Sequence, residues 1–353
     1  MELNELLRLY GKHPTAKALG RMLASSAQRM YVGGNRGSSL AMAFASIADK
    51  QTSPLLFIMD DVEEAGYLYH DLAQALGEEQ VLFFPSSFRR AIRFGQRDAA
   101  NEILRTQVLG RLAAGQGKGM YIVSYPEALA ELVVTRQQMT EQTLTLRVGE
   151  HIDMTEVEGR LTDLGFRRVD YVYEPGQMAV RGSIVDVYGF SNEYPYRIDF
   201  MDDEVDSIRS FEVRTQLSVA RHEEINIVPE TDEKGSECVL AFLPADCCIV
   251  AKNITFLCDT VNQVHDTGFS ERALAEGEVE AKEPVKLVDG DVFRRQLLTF
   301  RIVEAGLRPS LESEKRVDFD VTPQPVFHKN FELVSDTFQE YIANGYTIYI
   351  LAD

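Results

Sequence analysis

Three clusters of residues in this chain have types and spacing that suit chemistry. The first is Gly33-Gly34-Asn35-Arg36-Gly37-Ser38-Ser39, set between a short apolar run and a helical pattern. Strand, glycine loop and helix make a phosphate cradle, because free backbone N–H groups and the helix dipole both attract an anion. Nucleotide chemistry also needs a lysine before Ser/Thr to reach the terminal phosphates. Ser38 stands at that place, and the spacing from the first glycine is one residue short. The loop therefore reads as a tight strand-to-helix turn, or as a degenerate phosphate loop. The second cluster is Arg168 and Arg181, with Arg167, Asp170, Tyr171 and Gly182 around them. Guanidinium forks suit carboxylates on a partner. Internal pairing with Asp170 or Asp186 is the plainer alternative. The third is Phe88-Arg89-Arg90-Ala91-Ile92-Arg93-Phe94-Gly95-Gln96-Arg97. Arg89, Arg90, Arg93 and Arg97 interleave with phenylalanines, a pattern that serves single-stranded nucleic acid by stacking and charge. A surface loop anchored by its phenylalanines reads equally from these residues, since four arginines alone bind weakly and lose affinity in salt.

These clusters need elements to hold them. Residues 1–27 read as helical. Short apolar runs at Met30–Val32, Pro54–Met59, Val81–Pro85 and Gly119–Ser124 alternate with helical patterns at Leu40–Lys50, Val62–Leu76, Asp98–Ala114 and Tyr125–Val134. Such βαβα alternation implies a parallel sheet buried on both faces, with the proportions of a RecA-like half. Residues 135–150 read as a linking strand. A helix follows over Met154–Leu164, with Thr155 and Glu158 at capping-box spacing. From Leu164 to Arg209 the period changes to two. Val169, Tyr171 and Tyr173 alternate, Glu174-Pro175-Gly176 makes a turn, and runs at Met178–Tyr188, Tyr196–Asp199 and Val205–Phe211 follow. This predicts an antiparallel meander in which Arg168 and Arg181 face each other across a hairpin centred on the Pro175 turn. Gly182, inside a strand pattern, suggests a bulge or a close backbone approach. Residues 230–235 are a polar boundary. After it, α/β character returns, with a strand at Cys247–Ala251 that ends on Lys252-Asn253, where a helicase core would carry an acidic pair. Glu276–Glu283 reads as a solvated face, Arg316–Val321 as a strand, and Phe331–Ala343 as a helix stopped by Asn344-Gly345. The apolar run Tyr346–Asp353 reads as a final strand, as if the chain were part of a longer one. The expected fold class is α/β, with RecA-like parallel-sheet domains and an inserted, mostly antiparallel β domain. The boundaries are a degenerate RecA-like domain over 1–135, a β-rich domain over 136–232 and a second α/β domain over 233–353.

Composition narrows the function classes. The net charge is −19, unevenly spread, with 14 basic and 12 acidic side chains in residues 1–118 and 22 basic and 43 acidic in 119–353. An acidic body cannot neutralise many phosphates, which argues against broad DNA binding by residues 119–353 and for a protein-binding surface. Cys238, Cys247, Cys248 and Cys258 form no C-x-x-C pair, so no metal site is expected, and Cys247-Cys248 in an apolar run reads as buried thiols. No apolar run has membrane-spanning length, which predicts a cytoplasmic protein without a membrane partner.

The offsets within the meander are specific: Phe166-Arg167-Arg168-Val169, Pro175-Gly176, Val180-Arg181-Gly182, Ile184, Asp186, Tyr196-Arg197-Ile198-Asp199-Phe200 and Asp203-Glu204. In this the chain resembles the UvrB-homology module, shared by the excinuclease subunit UvrB and transcription-repair coupling factors (Mfd). The resemblance is strong over 164–230. UvrB carries a working phosphate loop and a long DNA-gripping hairpin in its first domain. Neither appears here, which favours the coupling-factor side. That resemblance implies a non-catalytic module whose partner is UvrA, with no cofactor of its own. It implies RNA polymerase and DNA as partners through other domains, and ATP with magnesium in a translocase part outside this chain. The alternative is a DNA-dependent ATPase or helicase of the UvrB type with an atypical phosphate loop.

Overall fold

The computed structural model describes residues 3–87, 99–190, 192, 194–228, 235–267, 287–322, 327 and 330–349. Arg89, Arg90, Arg93, Arg97 and the acidic stretch Glu276–Glu283 lie outside the described residues, as does most of the polar boundary at 230–235.

The chain opens with helices α1 (Leu3–Lys12) and α2 (Pro14–Leu23), the second begun by a proline whose fixed φ suits a first turn. Strand β1 (Arg29–Gly33) leads through the glycine loop into α3 (Ser39–Ala45). Strand β2 (Leu55–Ile58), wholly buried, is followed by α4 (Val62–Leu76). Asp61 caps α4 by accepting hydrogen bonds from the Glu63 and Glu64 N–H groups, each at 2.9 Å. Next come β3 (Val81–Phe83), α5 (Ala99–Ala113), β4 (Tyr121–Ser124) and a short α6 (Pro126–Ala130).

Residues 135–150 are not simply a strand. Thr135 and Gln138 form a reciprocal capping box that starts α7 (Arg136–Gln142), and β5 (Leu144–Arg147) follows. Helix α8 (Met154–Asp163) is capped by Asp153, not by Thr155. Asp153 accepts the Thr155 N–H at 2.6 Å, and its hydrogen bonds to Thr155 hold its carboxyl below the usual range.

The meander differs from expectation in its first half. Strand β6 (Arg167–Arg168) has two residues and lies parallel to β7 (Gln177–Arg181), with Arg168 opposite Met178. The run expected as one strand over Met178–Tyr188 is a hairpin of β7 and β8 (Ile184–Tyr188), turning at Gly182-Ser183. Gly182 has φ +60, and a Cβ there would meet nothing within 4 Å, so its role is the turn and not a close approach. Strands β9 (Tyr196–Met201), β10 (Glu204–Phe211) and β11 (Ser218–His222) complete a sheet in the order β11-β10-β9-β8-β7-β6. Strand β12 (Glu224–Ile227) pairs antiparallel with β5.

After a 3-10 turn at Val239–Phe242 come β13 (Cys248–Ala251), α9 (Ile254–Thr267), α10 (Gly290–Leu297), β14 (Arg301–Glu304), β15 (Lys315–Asp318) and α11 (Phe331–Ala343). Strands β13–β15 do not start a second sheet. They enter the first one, in the parallel order β15-β1-β14-β13-β2-β4-β3. The expected division of 1–135 and 233–353 into two α/β domains is therefore corrected for β13–β15: a strand buried on both faces needs neighbours, and β1 and β2 supply them. Tyr346–Tyr349, the described part of the run expected as a final strand, forms no strand among the described residues, and Tyr346 and Tyr349 are exposed. The fold is a RecA-like α/β body with a separate, mostly antiparallel sheet inserted between β4 and β13.

Each sheet has its own core. Around the parallel sheet, Phe57 stacks on Tyr121 and meets Phe44 edge-on, with centroids 5.7 and 5.1 Å apart. The inserted sheet buries Met178, Val185, Val187, Ile198, Phe200, Val205 and Ile208 against Val157 and Leu161 of α8. Its other face carries only a small cluster, Val172, Ala179 and Phe211. That leaves the outer face open to polar side chains.

Candidate functional site

Two places are candidates: the glycine loop at the carboxyl edge of the parallel sheet, and the outer face of the inserted sheet.

The glycine loop is held by its own chain at its first two residues, while Gly34, Arg36, Gly37 and Ser38 are exposed. The Gly33 carbonyl accepts the Phe319 N–H at 2.8 Å. A Cβ on Gly33 would stand 2.3 Å from Asp318 Oδ1, and one on Gly34 would stand 1.6 Å from the Phe319 carbonyl oxygen. Gly34 is thus explained by the backbone that follows β15, and Gly33 by the side chains of Asp318 and Tyr31. The Arg36 N–H donates to Ser39 Oγ at 2.7 Å, and the Ser39 N–H donates to the Arg36 carbonyl at 3.1 Å, closing the turn on itself. Ser38 begins α3 without a side-chain cap. Gly37 alone has open space around it.

The acid pair beyond β2 is already in use, Asp61 as the cap of α4 and Asp60 beside Lys252. Strand β13 ends at Ala251, and Lys252 beyond it gives an N–H to Glu64 Oε1 at 2.6 Å and lies 3.2 Å from Asp60 Oδ2. Glu304, at the end of β14, is buried and fully used: it accepts the Ile254, Ser310 and Leu311 N–H groups and the Ser310 hydroxyl, at 2.6–2.9 Å. The residues present do not fit ATP and magnesium: a loop without lysine and one residue short, and a lysine where a carboxylate would be needed. Among the described residues no group of His, Cys, Asp or Glu is set to hold a metal ion. The four cysteines are buried and unpaired, and burial pushes the Cys238 thiol up to about 11 and the Cys248 thiol up to about 12. No helix among the described residues is long and apolar enough to cross a membrane.

The outer face of the inserted sheet is arranged differently. Register brings Ala179, Asp186, Arg197, Arg209 and Arg221 into one row across β7 to β11. Asp186 is 1% exposed and lies between two arginines. Arg197 donates Nε to Oδ1 at 2.7 Å and Nη2 to Oδ2 at 2.9 Å, and Arg181 donates Nη2 to Oδ2. Hydrogen bonding to Asp186 pushes the Arg197 guanidinium up from its ordinary value. Arg181 lies over the Tyr171 ring at 4.5 Å and Arg197 over Phe211 at 4.3 Å. Along the row, Arg209 donates to Asp199 at 2.6 Å. Tyr171, Tyr173, Leu217 and Val219 are exposed nearby.

Arg168 and Arg181 do not share a face. Arg168 is in register with Met178, whose side chain enters the core under α8, and it pairs with Glu158 of that helix. Arg181 lies three residues beyond Met178. Alternation along β7 therefore sends its side chain to the other side, at a rise of about 3.3 Å per residue. The hairpin that would have set them opposite does not form. Arg167 and Asp170 are exposed at the β6 end of the sheet. Arg197, Asp199, Arg209 and Gln216 were not singled out from sequence. Their signal was available, because Arg197 and Asp199 hold the polar parity of a run whose other parity, Ile198 and Phe200, is core.

Comparison with known proteins gives the chain its relatives. Residues 144–232 match the family described as the UvrB interaction domain. The chain is 27% identical over 213 residues to the transcription-repair-coupling factor of Bacillus subtilis (strain 168), covering 60% of this chain and 18% of that protein. It is 30% identical over 219 residues to the factor of Staphylococcus haemolyticus (strain JCSC1435), again covering 18% of it. It is 31% identical over 210 residues to that of Staphylococcus aureus (strain USA300), 59% of this chain. The chain thus spans about a fifth of the length of the curated relatives it matches, at 18% of each. The resemblance to the UvrB-homology module of transcription-repair coupling factors holds, and the matched domain coincides with the inserted sheet.

Proposed function

We propose that this chain is the UvrA-recruiting module of a transcription-repair coupling factor, and that it does no chemistry of its own. The observation that carries the reading is the outer face of the inserted sheet. It presents half-exposed arginine beside exposed tyrosine within the span that matches the UvrB interaction domain. Arginine and tyrosine are the side chains that most often anchor protein interfaces, and guanidinium forks select carboxylates. In the whole protein, RNA polymerase, DNA, ATP and magnesium belong to other segments. The ATPase alternative has no support in the residue types, since the glycine loop has Ser38 where a lysine is needed and β13 is followed by Lys252.

The test is binding of purified UvrA to this chain, wild type against Arg181→Glu and Arg168→Glu, with thermal melting as the folding control. Arg181→Glu is expected to weaken binding by ~30-fold or more at unchanged melting. Arg168→Glu, on the other side of the sheet, should cost under ~3-fold, as an exposed rim charge does. No wild-type binding would end the recruitment reading. Equal losses from both variants would move the interface to the β6–β7 edge.

A further inference from the structure

We infer that Arg197 is a positioning residue of the docking face: it neutralises the buried Asp186, so that Arg181 stays available to a carboxylate on the partner protein. The inference rests on the docking reading above. A carboxylate that is 1% exposed needs a counter-charge with hydrogen bonds to both oxygens. Arg197 supplies both, side-on, at 2.7 and 2.9 Å. Arg181 adds one N–H to Oδ2, an oxygen that Arg197 already serves.

The two arginines are held very differently. The Arg197 side chain is 17% exposed and that of Arg181 is 32% exposed. Arg197 lies over Phe211 and gives Nη2 to Gln216 Oε1 at 2.8 Å. Gln216 has φ +59, a left-handed conformation that costs a non-glycine residue. The turn enforces it: the Glu212 carboxylate accepts the Arg214 and Thr215 N–H groups, and Gln216 Nε2 donates to the Val213 carbonyl at 2.8 Å. That strain has a clear purpose if it fixes the amide oxygen on Arg197. Arg181, by contrast, ends its strand beside the Gly182 turn and rests on a tyrosine that is itself 50% exposed. Among the described residues it makes one hydrogen bond, to Asp186. It can exchange Asp186 for a partner's carboxylate without leaving a buried charge unpaired. Without Arg197, Arg181 would be the sole counter-ion of Asp186 and would be drawn inward.

The experiment measures UvrA affinity and melting for the whole chain as wild type, Arg197→Lys, Arg197→Met and the double variant Asp186→Asn/Arg197→Met. Arg197→Met should weaken binding by ~10-fold although Arg181 is intact, and Arg197→Lys should recover part of that loss. Adding Asp186→Asn removes the charge that captures Arg181, so the double variant should return to within ~3-fold of wild type. A purely structural Arg197 predicts the reverse, with the double variant at least as weak as the single one and affinity following melting. The inference is overturned if Arg197→Met binds as wild type, or if the folded double variant binds no better than Arg197→Met. If Arg197→Met does not fold, the double variant decides alone: folded without binding, it overturns the inference. Arg181→Glu is run alongside; if it binds UvrA as wild type, the docking reading itself has failed, a result distinct from failure of the rescue.

Discussion

The carboxyl edge of the parallel sheet and the outer face of the inserted sheet both gather charge, and they use it in different ways. At the carboxyl edge the strand-end charges are committed inward. Gly33 and Gly34 press on Asp318 and Phe319, Glu304 accepts four hydrogen bonds from one loop and one helix start, and Lys252 bridges Asp60 and Glu64. On the outer face the charges are paired too, but around one buried carboxylate with two cations, so that one cation is in excess. The difference lies in commitment: charges that hold one loop or helix in place leave nothing over for a partner. A docking face instead keeps a half-exposed donor that its own structure does not need.

The largest effect should come from the glycine loop. Gly34→Ala puts a Cβ at the Phe319 carbonyl and forces a non-glycine residue to φ +77. We expect a loss of about 3 kcal/mol or more in chemical denaturation, from overpacking plus backbone strain. Gly37→Ala, with positive φ but open space, should cost only about 1 kcal/mol. If the two variants were equally stable, the glycines would not be there for packing, and the contrast between the regions would break.

Much of this was legible beforehand, for identifiable reasons. The continuous apolar run before Asp60 announced β2, and Asp61 followed by an amphipathic pattern announced α4, whose bounds matched. One failure was long-range. Nothing local states that β13, β14 and β15 join β1 and β2 in one sheet, since pairing partners so distant in sequence, such as Cys248 and Leu55 or Arg29 and Ile302, leave no mark on periodicity. Strand β6 failed for a local reason: its two residues pair parallel with nearby β7, Arg167 with Gln177, where alternation suggested a hairpin. Gly182-Ser183 carried a turn signal that the longer apolar run concealed. The capping box Thr135-x-x-Gln138 was readable, but the linking-strand reading of 135–150 made no use of it. At the site, residue types were right for Arg181 and Tyr171, while the shared face for Arg168 and Arg181 depended on a register that a one-residue change of parity reverses.

A middle-sized effect sharpens the outer-face half of the contrast. Tyr171→Ala removes the ring under Arg181. A cation–π contact at an exposed site is worth about 0.5–1 kcal/mol, so UvrA affinity should fall by ~2- to 5-fold with melting unchanged. Melting that falls while binding holds would mean the ring serves the fold and not the partner.

The smallest expected effect is the strictest check on the glycine loop. Ser38→Lys restores the side chain type that the glycine loop lacks, at an exposed position where it should not disturb packing. If the missing lysine were the whole reason for silence, magnesium-ATP would now bind and stabilise the chain. Ligand at 100 times its Kd adds about 2.7 kcal/mol, a rise of several degrees in Tm. We expect no rise, because one lysine leaves the other departures in place: the loop is still one residue short from its first glycine, and Lys252 still stands beyond β13. A saturable rise in Tm with magnesium-ATP would show that the lysine alone was missing. The two regions would then differ by one residue, and not by how their charges are committed.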